Sequence, residues 1–484
     1  MAGSIEVGAL DVVSSNGLQT NVVTTDNLGN LLVNGIRVAY DLDINNPGVT
    51  GTNVYGLIYN KTNDSYKRFG TGTVEDNVWI STFGSRLNDN SNQDPITTFF
   101  NKTTTVQGNM KRVVVNNAGA YVKDYNATDY AHPDQTELTL TQSVMVQIPK
   151  FYYISIKFVY NNDTYNLFAQ SLNPFSIDLS TMGFSGASSI AGQNVTGYAS
   201  YGSISGTVVT SVVHNAFNYY DGSVKDTLYI GAFESSNSGS NYRSSCTASL
   251  TSTPIKAVAT QTIATFRTQH KNFGANFATQ NWFEREALVL TLLIERGTFQ
   301  TETNGANNYS KWEAYSWNSS GSSDDQNLGL TLVLGNTTGV IKNASNQTIA
   351  CNYRGVENPY GHLWEFVDGC NVISGAVWLA KHGATYASNT TASPYFTSGR
   401  TTLTSGTGVY ISDIFDGTFI PSAATGASNV TKMTDGAWFA TGNTILYVGG
   451  DLTYPGSAGS VAWASSDASS LSSWASGSRF AVLS

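Results

Sequence analysis

The stretch Arg354-Gly355-Val356-Glu357-Asn358-Pro359-Tyr360-Gly361-His362-Leu363-Trp364-Glu365-Phe366-Val367-Asp368-Gly369 carries the densest local signal in the chain. Asn358-Pro359-Tyr360-Gly361 reads as a type I turn, with Pro at the second position presetting φ and Gly at the fourth. A strand follows. Its period-two alternation puts Trp364 and Phe366 on one side and Leu363 and Val367 on the other. Glu365, between two aromatics, is expected to be half-buried and hydrogen-bonded to loop backbone. The motif reads as scaffold: Asn358, Pro359, Gly361, Trp364, Glu365, Asp368 and Gly369 hold loops together, and no ligand is needed to explain them.

Outward from this motif, most of the chain has strand texture. Ile36, Val38, Tyr40, Leu42 and Ile44 alternate with polar or small residues, and Asn16-Gly17 and Asn34-Gly35 are hairpin-type turns. Val144–Tyr160 reads as one long strand, which Asn161-Asn162-Asp163 turns back into a hairpin. Two helices interrupt the pattern. Thr260–His270 carries Ile263 and Phe266 on one face. The second places Phe283, Ala287, Leu290 and Ile294 at helical spacing, with Asn281 as N-cap and Gly297 at the stop. The polar run Asn116–Glu137 reads as a boundary, giving an N-terminal β-rich domain over 1–135 and a second domain over 136–484. The expected fold class is therefore α+β: an N-terminal all-β domain, then a domain with two helices, short strands and long loops.

Composition narrows the function classes. The 484 residues carry a formal charge of −9 and only 12% charged residues, about half the usual ~25%. Ser, Thr and Asn make up the difference. With 40% hydrophobic and 12% aromatic residues the chain has ample core material. Only 25 Lys and Arg face 34 acids, with no basic block, which disfavours a nucleic-acid partner. No apolar run approaches the ~20 residues of a membrane span, so no membrane insertion is expected. Cys246, Cys351 and Cys370 have no metal-ligand spacing, and neither a metal nor a cofactor is expected.

The motif resembles the N-P-x-G-x-x-W-E-x-x-D-G signature of phage and virus tail-fibre or receptor-binding proteins with a C-type lectin fold. That group is related to the variable proteins of diversity-generating retroelements and to formylglycine-generating enzymes. Other stretches are similar in the same order. Val146-Gln147-Ile148-Pro149-Lys150-Phe151-Tyr152-Tyr153 resembles an early strand of the group, and His214-Asn215-Ala216-Phe217 with Tyr229–Glu234 a following segment. Leu292–Thr298 is like its helix end. Gly449-Gly450, Ala458-Gly459 and Gly477–Phe480 resemble its closing motif, with Leu452 where Trp is usual.

The resemblance implies a lectin-like second domain whose final segment displays ligand-contacting residues: Asp451, Thr453, Tyr454, Ser457, Ser460, Trp463, Ser466, Asp467, Ser470, Leu471, Ser473 and Trp474. Rigid aromatics among small hydrogen-bonding residues are the mixture that paratopes use. The loop Lys381–Arg400, with His382, Tyr386 and Tyr395, is a second candidate. Glu357-Asn358-Pro359 has the wrong order for the calcium motif of true C-type lectins, and no catalytic residue is assigned. The implied function is a structural protein of the virion, a tail fibre, spike or fibre tip, acting without catalysis. It would be a homotrimer that binds a host-cell surface receptor, with the N-terminal domain joined to other virion proteins. A cellular surface adhesin or a retroelement-diversified binding protein is the alternative, and an oxidase or glycan hydrolase on the same fold a third.

Overall fold

The computed structural model describes residues 48–70, 102–125, 139–238, 241–246, 255–299, 327–342, 348–403, 405–425, 435–453 and 456–482. It also describes Phe100, Met433 and the backbone of three short strands at 23–25, 31–33 and 36–37. Those three form a small antiparallel sheet. The alternation expected over Val38–Ile44 and the turns at Asn16-Gly17 and Asn34-Gly35 lie outside the described residues.

Two larger sheets build the body. In the first, strands Ser188–Ala191, Tyr152–Tyr160, Asp163–Ser171, Tyr55–Asn60 and Ser65–Gly70 pair antiparallel in that order. The second is long. Its central strands run Asn443–Val448, Trp364–Ile373, Ser476–Val482, Thr227–Ser238, Gln142–Pro149 and Lys111–Asn116. Trp364–Phe366 pairs parallel with Ser476–Ser478, whereas Glu365–Ile373 pairs antiparallel with the 443–448 strand.

The expected α+β class, with a separate N-terminal all-β domain, is not what the chain forms. Among the described residues strands make up 48% and helical segments 11%, with two α-helices, so the described body is mostly β. Beyond the small sheet at 23–37, the early strands also form no layer of their own. Tyr55–Asn60 pairs with Asp163–Ser171 and Lys111–Asn116 with Gln142–Pro149. The physical reason is that period-two apolar strands on either side of a polar linker present the same pairing chemistry, and polarity does not stop a chain from doubling back. The long strand expected over Val144–Tyr160 is likewise two. Pro149 ends the first, Lys150 and Phe151 turn the corner, and Tyr152 begins a strand of the other sheet. Proline lacks the N–H that would continue the ladder.

The two helices form close to where the spacing puts them: α1 spans Ile263–Phe273 and α2 spans Trp282–Arg296. Asn281 caps α2 as expected. Its Oδ1 accepts from Glu284 N–H at 3.0 Å while its own N–H donates to Glu284 Oε2 at 2.7 Å, a complete capping box. Gly297, at φ 74°, closes the helix in the left-handed region. The helix packs against strands of both large sheets, and every residue from Trp282 to Glu295 is buried. A helix in that position is apolar all round or pairs whatever charge it carries. A second core fills the other face of the first sheet, around Ile154, Ile156, Phe158, Leu167 and Ile177.

Asn281→Ala removes one cap acceptor and the bond from Asn281 Nδ2 to Tyr386 Oη (2.9 Å). Loss of such a cap costs roughly 1–2 kcal/mol, so denaturant unfolding of this variant is expected to show its midpoint lowered accordingly.

Candidate functional site

Glu365 is not half-buried, as its neighbours implied, but 1% exposed. Among the described residues it bonds no loop backbone. Arg479, itself fully buried, donates from Nε (3.0 Å) and Nη2 (2.5 Å) to Glu365 Oε1. The same guanidinium donates to the carbonyls of Gly231, Glu357 and Asn358, each at 3.0 Å. Arg285 of α2 approaches Glu365 Oε2 at 3.9 Å and donates to the carbonyls of Pro359 (2.6 Å) and Ser460 (3.1 Å). Burial raises the Glu365 pKa, the two arginines oppose that rise, and Glu234 adds to it. Burial also lowers the Arg285 pKa, to about 10.

This network changes the reading of the Asn358–Gly361 turn. Gly361 N–H donates to Gly449 O at 3.0 Å, and Asn358 O accepts from Arg479, so the bend is closed by its neighbours rather than by itself. The alternation beyond it is as expected: Trp364 and Phe366 enter one core cluster, Leu363 and Val367 another. Asp368 is held by Arg267 of α1, through Nε and Nη2 at 2.7 Å each.

The closing segment is anchored by the same groups. Gly450 has φ 78°, and a Cβ there would stand 2.5 Å from Ala458 Cα. A Cβ on Gly459 would meet the Asp435 carboxylate at 2.1 Å, while Asp435 Oδ2 accepts from Val461 N–H at 2.6 Å. The small residues of this segment are therefore required by close approach.

The displayed residues named from the sequence fall into separate groups. Asp451, Ser460 and Trp463 are buried; Asp451 Oδ1 accepts from Thr453 N–H at 2.7 Å, and Trp463 Nε1 donates to Ser465 Oγ at 3.0 Å. Thr453, Ser457, Ser466, Asp467, Leu471, Ser473 and Trp474 are half-buried, Ser470 is exposed, and Tyr454 lies outside the described residues. Ser457 and Thr453 stand on the stretch before Trp463, so what the segment offers together to solvent is the arc 466–474.

That arc has neighbours. Asn389 Nδ2 donates to Ser469 Oγ at 2.9 Å, joining the Lys381–Arg400 loop to it. The aromatics expected to make contacts from that loop instead anchor it. His382 is fully buried against Glu284, Tyr395 Oη donates to Ala387 O at 2.7 Å, and Tyr386 Oη accepts from Asn281. Arg267 Nη1 donates to Ser388 Oγ at 2.8 Å, and Asn371 Nδ2 to the carbonyls of Ala387 and Thr390 at 2.9 Å. A third loop completes the face. Tyr220, 52% exposed, reaches Ser393 Oγ through its hydroxyl at 3.4 Å, and its N–H donates to His382 O. Sequence reasoning missed Tyr220, although the Asp221-Gly222 turn beside it was a signal that the residue stands on a loop tip.

Buried charge fixes the loops, and exposed amide, hydroxyl and phenol groups are left to solvent. The three thiols are buried and unpaired by disulfides, with the Cys351 pKa pushed up by burial to about 12. Glu286 is buried beside a cavity of about 10 Å³ and accepts from Tyr198 Oη at 2.7 Å; burial raises its pKa to about 8. Among the described residues no cluster of three or more His, Cys, Asp or Glu is placed to hold a metal ion.

Two outcomes follow from these geometries. Arg267→Ala leaves Asp368 buried without its partner, which costs about 3 kcal/mol. Hydrogen exchange should then show faster exchange across residues 387–392. For Glu286, the folded state holds a proton that the unfolded chain releases near 4.5, so its contribution to stability falls as pH rises from 4.5 towards 8. The stability difference between wild type and Glu286→Gln, followed by thermal unfolding against pH, should shift in the variant's favour by up to ~1.4 kcal/mol per pH unit in that window.

Compared with known proteins, the chain matches no family model, and it matches none of the curated proteins.

Proposed function

We propose that this protein is a receptor-binding component of a virus particle, a tail fibre, spike or fibre tip, that attaches to a host-cell surface without chemistry. The observation that carries the reading is the composite face. Three loops, at 218–224, 381–394 and 466–474, are tied to one another, with the half-buried Arg267 holding the second through Ser388, yet offer Tyr220, Asn389, Ser393 and Ser470 outward. A preformed face of this composition loses little conformational entropy on binding. The ordered motifs that resemble tail-fibre proteins, and a surface low in charge, support the same reading. In this proposal single-site affinity is weak and a closed homotrimer multiplies it, while the N-terminal strands serve attachment to other virion proteins.

The test uses the full chain, fluorescently labelled, on a panel of bacterial and archaeal cells. Tyr220→Ala and Ser470→Trp should each reduce binding by roughly tenfold, the size of one interface hot spot. Leu140→Ala, exposed elsewhere, should leave it unchanged. Binding that survives both face substitutions removes this face as the receptor site. Native mass spectrometry checks the trimer.

A further inference from the structure

A second concave site lies at the edge of the first sheet and shares no residue with the loop face. Two hairpin ends meet there. One is the turn between Tyr55–Asn60 and Ser65–Gly70. The other is the Asn161-Asn162 turn, with φ 50° and 68°, that joins Tyr160 to Asp163. Together with Met182–Phe184 they enclose an open cleft of about 470 Å³, within the size range of small-molecule sites.

Register places the lining. Asn60 pairs with Tyr165, which pairs with Phe158; one row further in, Lys67 pairs with Ile58 and Ile58 with Leu167. The apolar wall is a ring cluster: Tyr160 meets Phe184 edge-on at 5.4 Å, and Tyr165 meets Phe184 at 5.2 Å. Tyr160 is half-exposed, so part of its ring remains open to the cleft. The polar rim is organised in advance. Asn60 Oδ1 accepts from Thr62 N–H at 2.8 Å, and its Nδ2 donates to Asp163 Oδ2 at 3.0 Å. Asp163 Oδ1 has no hydrogen-bond donor among the described residues. Asn63 Oδ1 accepts from Ser65 Oγ at 2.5 Å, which leaves its amide N–H groups directed elsewhere.

Lys67 is the unusual member. It is half-buried, forms no ion pair among the described residues, and burial lowers its pKa. An ammonium in such a place gains from a bound anion. A phosphate-rich ligand would meet the Asp163 carboxylate, and an apolar one would strand Asp163, Asn63 and Lys67. A ligand with one carboxylate, several hydroxyls and an apolar ring face satisfies every wall.

We propose that this cleft binds a saccharide bearing a carboxylate, of the hexuronic acid class, with its ring against Tyr160. Its hydroxyls donate to Asp163 and accept from Asn63, and its carboxylate pairs with Lys67. The assignment is independent of the loop face and of any receptor there.

The experiment is titration of the full chain by isothermal calorimetry and saturation-transfer NMR with methyl β-D-glucuronide, methyl β-D-glucoside and acetate. The glucuronide should bind at millimolar strength and about tenfold tighter than the glucoside, the gain of one charge-assisted pair. Lys67→Gln should erase that difference while leaving glucoside binding unchanged. Tyr160→Ala should weaken both sugars. Circular dichroism melting of each variant separates lost binding from lost folding. No glucuronide binding, equal affinity for the two sugars, a wild-type preference in Lys67→Gln, or acetate binding as tightly as the glucuronide would each overturn the proposal.

Discussion

Arg479 and Glu365 form the interaction on which the rest of the structure depends. One fully buried guanidinium meets a carboxylate on the 364–373 strand and carbonyls at Gly231, Glu357 and Asn358. It therefore joins three strands and the bend that precedes one of them. Charges taken out of water cost several kcal/mol each unless their partners are in place. Each partner constrains the others, and the arrangement tolerates little displacement. Arg285 extends the network to Pro359 and Ser460, so the helix, the bend and the closing segment share one set of contacts.

The same principle governs α2 along its whole length. Glu284 faces His382, Arg285 faces Glu365, Glu286 accepts from Tyr198, and Glu295 accepts from Arg354. These four charged residues reach different loops or strands, which makes the helix an organiser as well as a piece of core. The Lys381–Arg400 loop illustrates the consequence. Its exposed tip rests on the buried His382, Tyr395 and Asp368 and on the half-buried Arg267 that pairs with Asp368, so a polar surface is carried largely by buried electrostatics.

The candidate face was partly legible. Its final-segment arc and the Lys381–Arg400 loop were both singled out from sequence, but the assignment of roles within them was not recoverable. Trp463, His382 and Tyr395 look like contact residues by type, and each is spent on holding the loops. Tyr220 lies far from both loops in sequence, and only the bridge from its backbone to His382 brings it beside Ser393. Local composition reports what a residue is able to offer, whereas burial depends on what the rest of the chain lays over it.

The sequence by itself determined the local elements. Capping residues and helical spacing set α2, alternation set the sides of the 363–367 strand, and the paired asparagines set the 161–162 hairpin. These rest on interactions within a few residues, which one chain segment contains. Only the tertiary structure decided that the strands between Tyr55 and Asn116 would enter the same sheets as those beyond residue 139. It alone decided that the α+β expectation would give way to a mostly β body, and that Glu365 would meet Arg479 rather than loop backbone. The pairing of Tyr55–Asn60 with Asp163–Ser171 and the Glu365–Arg479 ion pair each join residues more than a hundred positions apart. Many partners for each are chemically equivalent, and the choice among them is made by packing the whole chain at once.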